Sequence, residues 1–150
     1  MTKIIYIISL LLLPLSLIAQ STDQNYILTR TYQTSDGTSY LDQIQYFDGL
    51  GRPVETVQKA ISGVTSSDLV RLTEYDGVGR EYRHWLPITN SGSGAYVTPT
   101  TITGNTTSLY GGDARPYATT NFEHSPLNRV TGKYGAGASW YTGKKNDSIL

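Results

Sequence analysis

Few side chains in this sequence combine the types and spacing that chemistry needs. Glu55 and Glu81 each lie just beyond a similar glycine turn. Two carboxylates can split acid and base roles in glycoside hydrolysis, but this recurrence places both at solvent-facing strand positions. His84 and His124 are the only histidines. A metal would want them joined by carboxylates at ligand spacing. His84 is instead flanked by Arg83 and Trp85, and His124 sits beside Glu123 in a turn. Asp48 and Asp76 precede glycines, as calcium ligands do, yet each loop offers one carboxylate where calcium requires several oxygens. Gly-x-Gly recurs without the rest of a phosphate fingerprint or a following helix. The expectation is a protein with no catalytic, metal or cofactor site, and not an enzyme.

The acids and glycines make better sense as turn chemistry. Residues 46–54 read YFDGLGRPV and residues 75–82 read YDGVGREY. Phe47 to Tyr75 and Arg52 to Arg80 are both separated by 28 positions, the mark of an internal repeat. Asp48 and Asp76 can accept backbone N–H bonds within their turns. Gly49, Gly51, Gly77 and Gly79 can take positive φ at low cost. Arg52 and Arg80 can pair with the turn acid or lay a guanidinium on an aromatic ring. One hairpin is not stable alone in water, so the repeats are expected to stand side by side in one sheet. FEHSPLNRV, carrying Phe122 and Arg129, reads as a degenerate third copy with a longer turn.

Those turns need strands to position them. TSYLDQIQYF alternates, placing Tyr40, Ile44 and Tyr46 on one face with Asp42 as the exception. NYILTRTY before it and LVRLTEY after it are also extended. Pro87 ends the second hairpin. Residues 90–114 are rich in Gly, Ser and Thr, but scattered Tyr96, Val97, Ile102, Leu109 and Tyr110 favour a long loop lying on the sheet over a free linker. Trp140 and Tyr141 are expected to open a further strand. No stretch has a convincing 3.6 period, so helix should be minor. Tyr82, Trp85, Tyr96 and Trp140 could stack on sugars, although packing within the sheet is the commoner use of such rings.

The whole chain fits this reading. It has 150 residues, 12 basic and 12 acidic side chains, 12 tyrosines, 15 glycines and no cysteine. Disulfides and thiolate metal sites are excluded, and a balanced charge gives no electrostatic case for nucleic acid. MTKIIYIISLLLLPLSLIAQ has the three parts of a secretory signal peptide, with cleavage near Ala19. Its apolar run, broken by Pro14, is short for a transmembrane anchor. Only Lys3 leaves with it, so the mature charge is 11 minus 12, or −1. The expected organisation is a signal peptide at 1–19, a polar lead and first strand at 20–39, and a β domain at 40–141. Residues 142–150 then form the truncated end of a longer chain. The product should be secreted or held at the cell surface.

The order aromatic-Asp-x-x-Gly-Arg resembles the YD repeat of Rhs-type proteins. With LDQIQYFDGLGRPVETVQ, EYDGVGREYRHWLP, FEHSPLNRV and GAGASW, residues 24–141 resemble the N-terminal domain, of unknown function, of the large secreted Rhs-repeat proteins of Bacteroidota. The resemblance implies a mostly β fold, with tandem antiparallel hairpins forming an open, extended sheet as the start of an Rhs-like β-shell. It implies a structural role in encapsulation or delivery. The partners it implies are the remainder of the same chain, with further YD repeats and, in some relatives, a C-terminal toxin. The alternative is a secreted β module that binds a cell-surface glycan.

Overall fold

Period-two alternation becomes an antiparallel sheet in the computed structural model, which describes residues 23–60, 67–91 and 94–141. The expected signal peptide with its cleavage near Ala19, and the expected truncated end at 142–150, lie outside the described residues. The strands are β1 (Asn25–Tyr32), β2 (Tyr40–Phe47), β3 (Pro53–Gln58), β4 (Asp68–Tyr75), β5 (Glu81–Trp85), β6 (Ile88–Asn90), β7 (Tyr117–Phe122) and β8 (Val130–Tyr134). They run in the order β1-β2-β3-β4-β5-β7-β8, with β6 pairing β4 beside β5. The sheet is open, with β1 and β8 at its two edges. The fold is therefore mostly β and hairpin-built, as its alternation predicts.

One face carries the core. Ile44, Val57, Val70 and Ile88 stand directly opposite one another across β2, β3, β4 and β6. All four are buried, and each contributes about 1.5–3 kcal/mol by leaving water. The next row is Tyr46, Glu55 and Leu72. Asp42, the polar exception among these alternating positions, is buried on the same face. Arg30 on β1 satisfies it with two bonds of 2.7 and 2.8 Å, and the guanidinium lies 3.8 Å from the centre of the Tyr40 ring. Those bonds hold the Asp42 carboxyl below its usual range against the opposing effect of burial. β1 is exposed along its whole length, and this pair ties it to β2 beside the ring contacts Tyr26–Tyr46 and Tyr32–Tyr40. Arg30→Ala is expected to fray β1, raising hydrogen exchange of its amides about tenfold while β3 is unaffected. Equal exchange in both proteins would show the pair to be idle.

The core is closed by a strap and a helix, which corrects the reading of residues 90–114 as a loop. Helix α1 spans Pro99–Leu109. Thr98 caps it and Pro99 starts it, both standard entry chemistry. At the far end the Gly112 N–H bonds to Thr107 O and the Gly111 N–H to Ser108 O, with Gly111 at φ 72°, the double bond of a Schellman stop. Between these caps stand β-branched threonines and one glycine, poor helix formers with no continuous apolar stripe. The helix persists because Ile102 and Thr106 are buried against the sheet. Two further expectations are corrected. Trp140 belongs to a 3-10 turn at Ala138–Trp140, not a strand; Gly137, at φ 107°, turns the chain there. Pro87 interrupts pairing but does not end it, because β6 resumes the ladder to β4.

Candidate functional site: the hairpin corners

The three hairpins β2–β3, β4–β5 and β7–β8 turn in the same way. In each, the ladder shifts at the last aromatic of the first strand, so that Phe47 faces Pro53, Tyr75 faces Glu81 and Phe122 faces Val130. The acid that follows closes the corner. The Asp48 N–H donates to Arg52 O at 3.0 Å, Asp76 to Arg80 O at 2.9 Å, and Glu123 to Arg129 O at 2.9 Å.

The first two corners match atom for atom. Oδ1 of Asp48 accepts from the N–H groups of Leu50 and Arg52, both at 2.9 Å, while Oδ2 accepts from Arg52 Nε at 2.7 Å. Oδ1 of Asp76 accepts from Val78 and Arg80 at 3.0 Å, and Oδ2 from Arg80 Nε at 2.7 Å. The Arg52 bonds, backbone before side chain, hold the Asp48 carboxyl below its ordinary value. At Asp76 desolvation opposes the shift and the Arg80 bonds outweigh it. Gly51 and Gly79 take φ of 76° and 88°. Gly49 and Gly77 do not have positive φ, so only the second glycine of each turn uses that freedom.

The third corner has two more turn residues and uses other side chains. Glu123 accepts from the Arg129 N–H at 3.3 Å, and its carboxylate lies 3.9 Å from Arg129 Nε. Asn128, immediately before Arg129, has φ 53°. It holds the place of Gly51 and Gly79 because Asn tolerates the left-handed region better than other residues with a side chain. Sequence reading picked out Phe122 and Arg129 but passed over Asn128. Its position just before the arginine was the available signal.

Arginine links each corner to the next hairpin. The Arg52 guanidinium lies 4.5 Å from the Tyr75 ring centre, and Arg80 lies 4.6 Å from that of Phe122. Arg80 also donates to Asn128 Oδ1 at 3.0 Å and Glu123 O at 3.3 Å. Tyr75 in turn donates its hydroxyl proton to Pro53 O at 2.9 Å. The corners thus form a row of acid, guanidinium and ring across the sheet. Both oxygens of Asp48 and Asp76 and one oxygen of Glu123 are engaged by donors within their own turns.

The other candidates are dispersed. His84 is half exposed and 3.7 Å from Glu81, which is equally exposed. His124 is exposed in the third turn. Glu55 is corrected outright: it is buried, not solvent-facing, and does not meet Glu81. Its two oxygens share the Val97 N–H of the strap at 3.1 and 3.2 Å. Burial pushes its pKa up to about 8, an effect that the Val97 bond only partly offsets. Its recurrence after a glycine turn pointed to solvent, whereas the strand pairing puts it on the same face as Val57. Asp68 anchors the same strap, accepting from Gly94 N at 2.7 Å, while Tyr46 donates its hydroxyl to Gly94 O. Of the rings considered for sugar stacking, Trp140 is exposed; Trp85 packs at 4.7 Å on Tyr117 and Tyr96 at 5.3 Å on Tyr46.

No curated protein and no solved structure is significantly similar to the chain. A family model does match it, from residue 20 to residue 149, which covers the sheet, the strap, the helix and all three corners. The chain belongs to the family described as Domain of unknown function (DUF6443).

Proposed function

We propose that this chain is the exported N-terminal part of an Rhs/YD-type repeat protein and that its role is structural: it begins an extended β-sheet that further hairpins prolong into a shell or scaffold. The observation that supports this is the unfinished row of corners. Arg52 rests on the ring of the second hairpin and Arg80 on the ring of the third. Arg129 occupies the same place in its own corner, yet its side chain is 71% exposed, with no ring beneath it among the described residues. It borders β8, whose outer edge pairs with no described strand. A fourth hairpin beginning with an aromatic–acid pair would supply both the ring and the strand. Unpaired edges are a liability that proteins cover or blunt, and a continuing sheet covers this one.

The coding sequence downstream of Leu150 tests the proposal. Further hairpins of the form aromatic-Asp-x-x-Gly-Arg are expected in frame. A stop codon directly after Leu150 would overturn it.

A further inference from the structure

The face of the sheet opposite the core holds a cavity that the corner row does not use. It opens where β4 loses its neighbour. Thr73 pairs with His84 on β5 and Val70 pairs with Ile88 on β6, but Arg71 and Leu72 between them face the break at Trp85–Pro87 and pair with neither strand. The resulting fork bounds a cavity of about 470 Å³, within the range typical of small-ligand sites.

Its walls come from registered rows. Gln43, Gln58 and Leu69 lie opposite one another on β2, β3 and β4; Thr56 faces Arg71; Thr73 faces His84. All of these line the cavity. The lining therefore offers two amides, two hydroxyls, an imidazole and a guanidinium beside an apolar wall of leucine and proline, and it contains no carboxylate. Trp85 also lines it and has a buried indole N–H with no acceptor. Arg71 is exposed and makes no ion pair among the described residues, unlike Arg30, Arg52, Arg80 and Arg83, which all sit on acids.

This chemistry selects a ligand class. A metal cation is disfavoured by an arginine in a site without acids. A purely apolar ligand would strand the amides and hydroxyls without partners, which is costly. A polynucleotide wants many cations, and this site offers one permanent charge. A sugar has hydroxyl edges for Gln and Thr and C–H faces for the leucines, and an acidic sugar adds an anion for Arg71, whose fork suits carboxylate and sulfate alike. We propose that the fork between β4, β5 and β6 is a binding site for an anionic oligosaccharide, read by Arg71 through the acid and by Gln43, Gln58 and Thr56 through the hydroxyls.

Calorimetric titration of the protein tests this with three sugars and a peptide: trigalacturonate, its neutral methyl ester, a chondroitin sulfate tetrasaccharide and hexaglutamate. Trigalacturonate or the sulfated sugar should bind, and whichever binds more tightly names the acid. Arg71→Met should weaken that binding about tenfold or more, to the level of the neutral ester. Arg71 is exposed and unpaired, so this change leaves the fold intact, which thermal melting checks. Trp140→Ala, at an exposed ring outside the cavity lining, should change nothing. The proposal is overturned if neither acidic sugar binds at about 10 mM, if Arg71→Met leaves binding unaltered, or if hexaglutamate binds as tightly as the sugars.

Discussion

Glu55→Gln is expected to make the protein markedly more stable in mild alkali. Glu55 sits between Tyr46 and Leu72 with one N–H donor for two oxygens. Its pKa rises from 4.5 in the unfolded chain to about 8 in the fold. The folded state thus binds a proton that the unfolded state has released. Stability from this group is fully present below pH 4.5 and is lost as pH climbs to about 8, at up to about 1.4 kcal/mol per pH unit. Glutamine keeps the shape, stays neutral and removes that slope. At pH 8.5 the variant should exceed the parent by on the order of 3–5 kcal/mol, and near pH 4.5 the two should converge. Urea denaturation across this range measures the effect. Parallel pH profiles would mean that Glu55 is ionised and well solvated in the fold.

This residue also shows where sequence reading loses its grip. The recurrence of Glu55 and Glu81 just beyond a glycine turn pointed to solvent, although position 55 lies on the face of Val57. Whether a strand face is covered depends on what comes down on it. Here the cover is the strap at 94–97 and α1, and neither announces itself locally. A threonine-rich helix without an apolar stripe is legible only through its ends, Thr98–Pro99 and Gly111–Gly112. Its existence depends on Ile102 and Thr106 meeting a sheet formed from distant residues. The same dependence hides the fork beside Arg71, since it arises from two strands leaving β4 at different points.

What was legible is what is decided within a few residues. Asp48, Gly51 and Arg52 make a corner whose every bond lies within five positions, and Asp76, Gly79 and Arg80 repeat it. The third corner was recognisable from the Phe122–Glu123 pair and from Arg129 after a longer turn, without the left-handed Asn128 before the arginine. Local chemistry thus gives the turns and, through their 28-residue spacing, the side-by-side hairpins. It says nothing of which ring each arginine reaches, because that contact belongs to the neighbouring hairpin.

That inter-hairpin contact makes two equivalent glycines unequal. Gly51 and Gly79 both have positive φ, so Val at either place is strained by roughly 1–3 kcal/mol. A side chain at Gly51 meets open space, whereas the first carbon of one at Gly79 would lie 3.3 Å from Arg52 Nη1. Val at 79 must therefore also shift the Arg52 guanidinium by a few tenths of an ångström where it lies between Asp48 and the Tyr75 ring. Gly79→Val is expected to cost about 1 kcal/mol more than Gly51→Val. In an Arg52→Ala background the two substitutions should cost the same, because there is then no guanidinium to displace. Thermal or urea melts of the single and double variants give the coupling directly. If Gly79→Val costs the same with and without Arg52, the corners are independent turns and the row of rings and arginines does not hold the hairpins together.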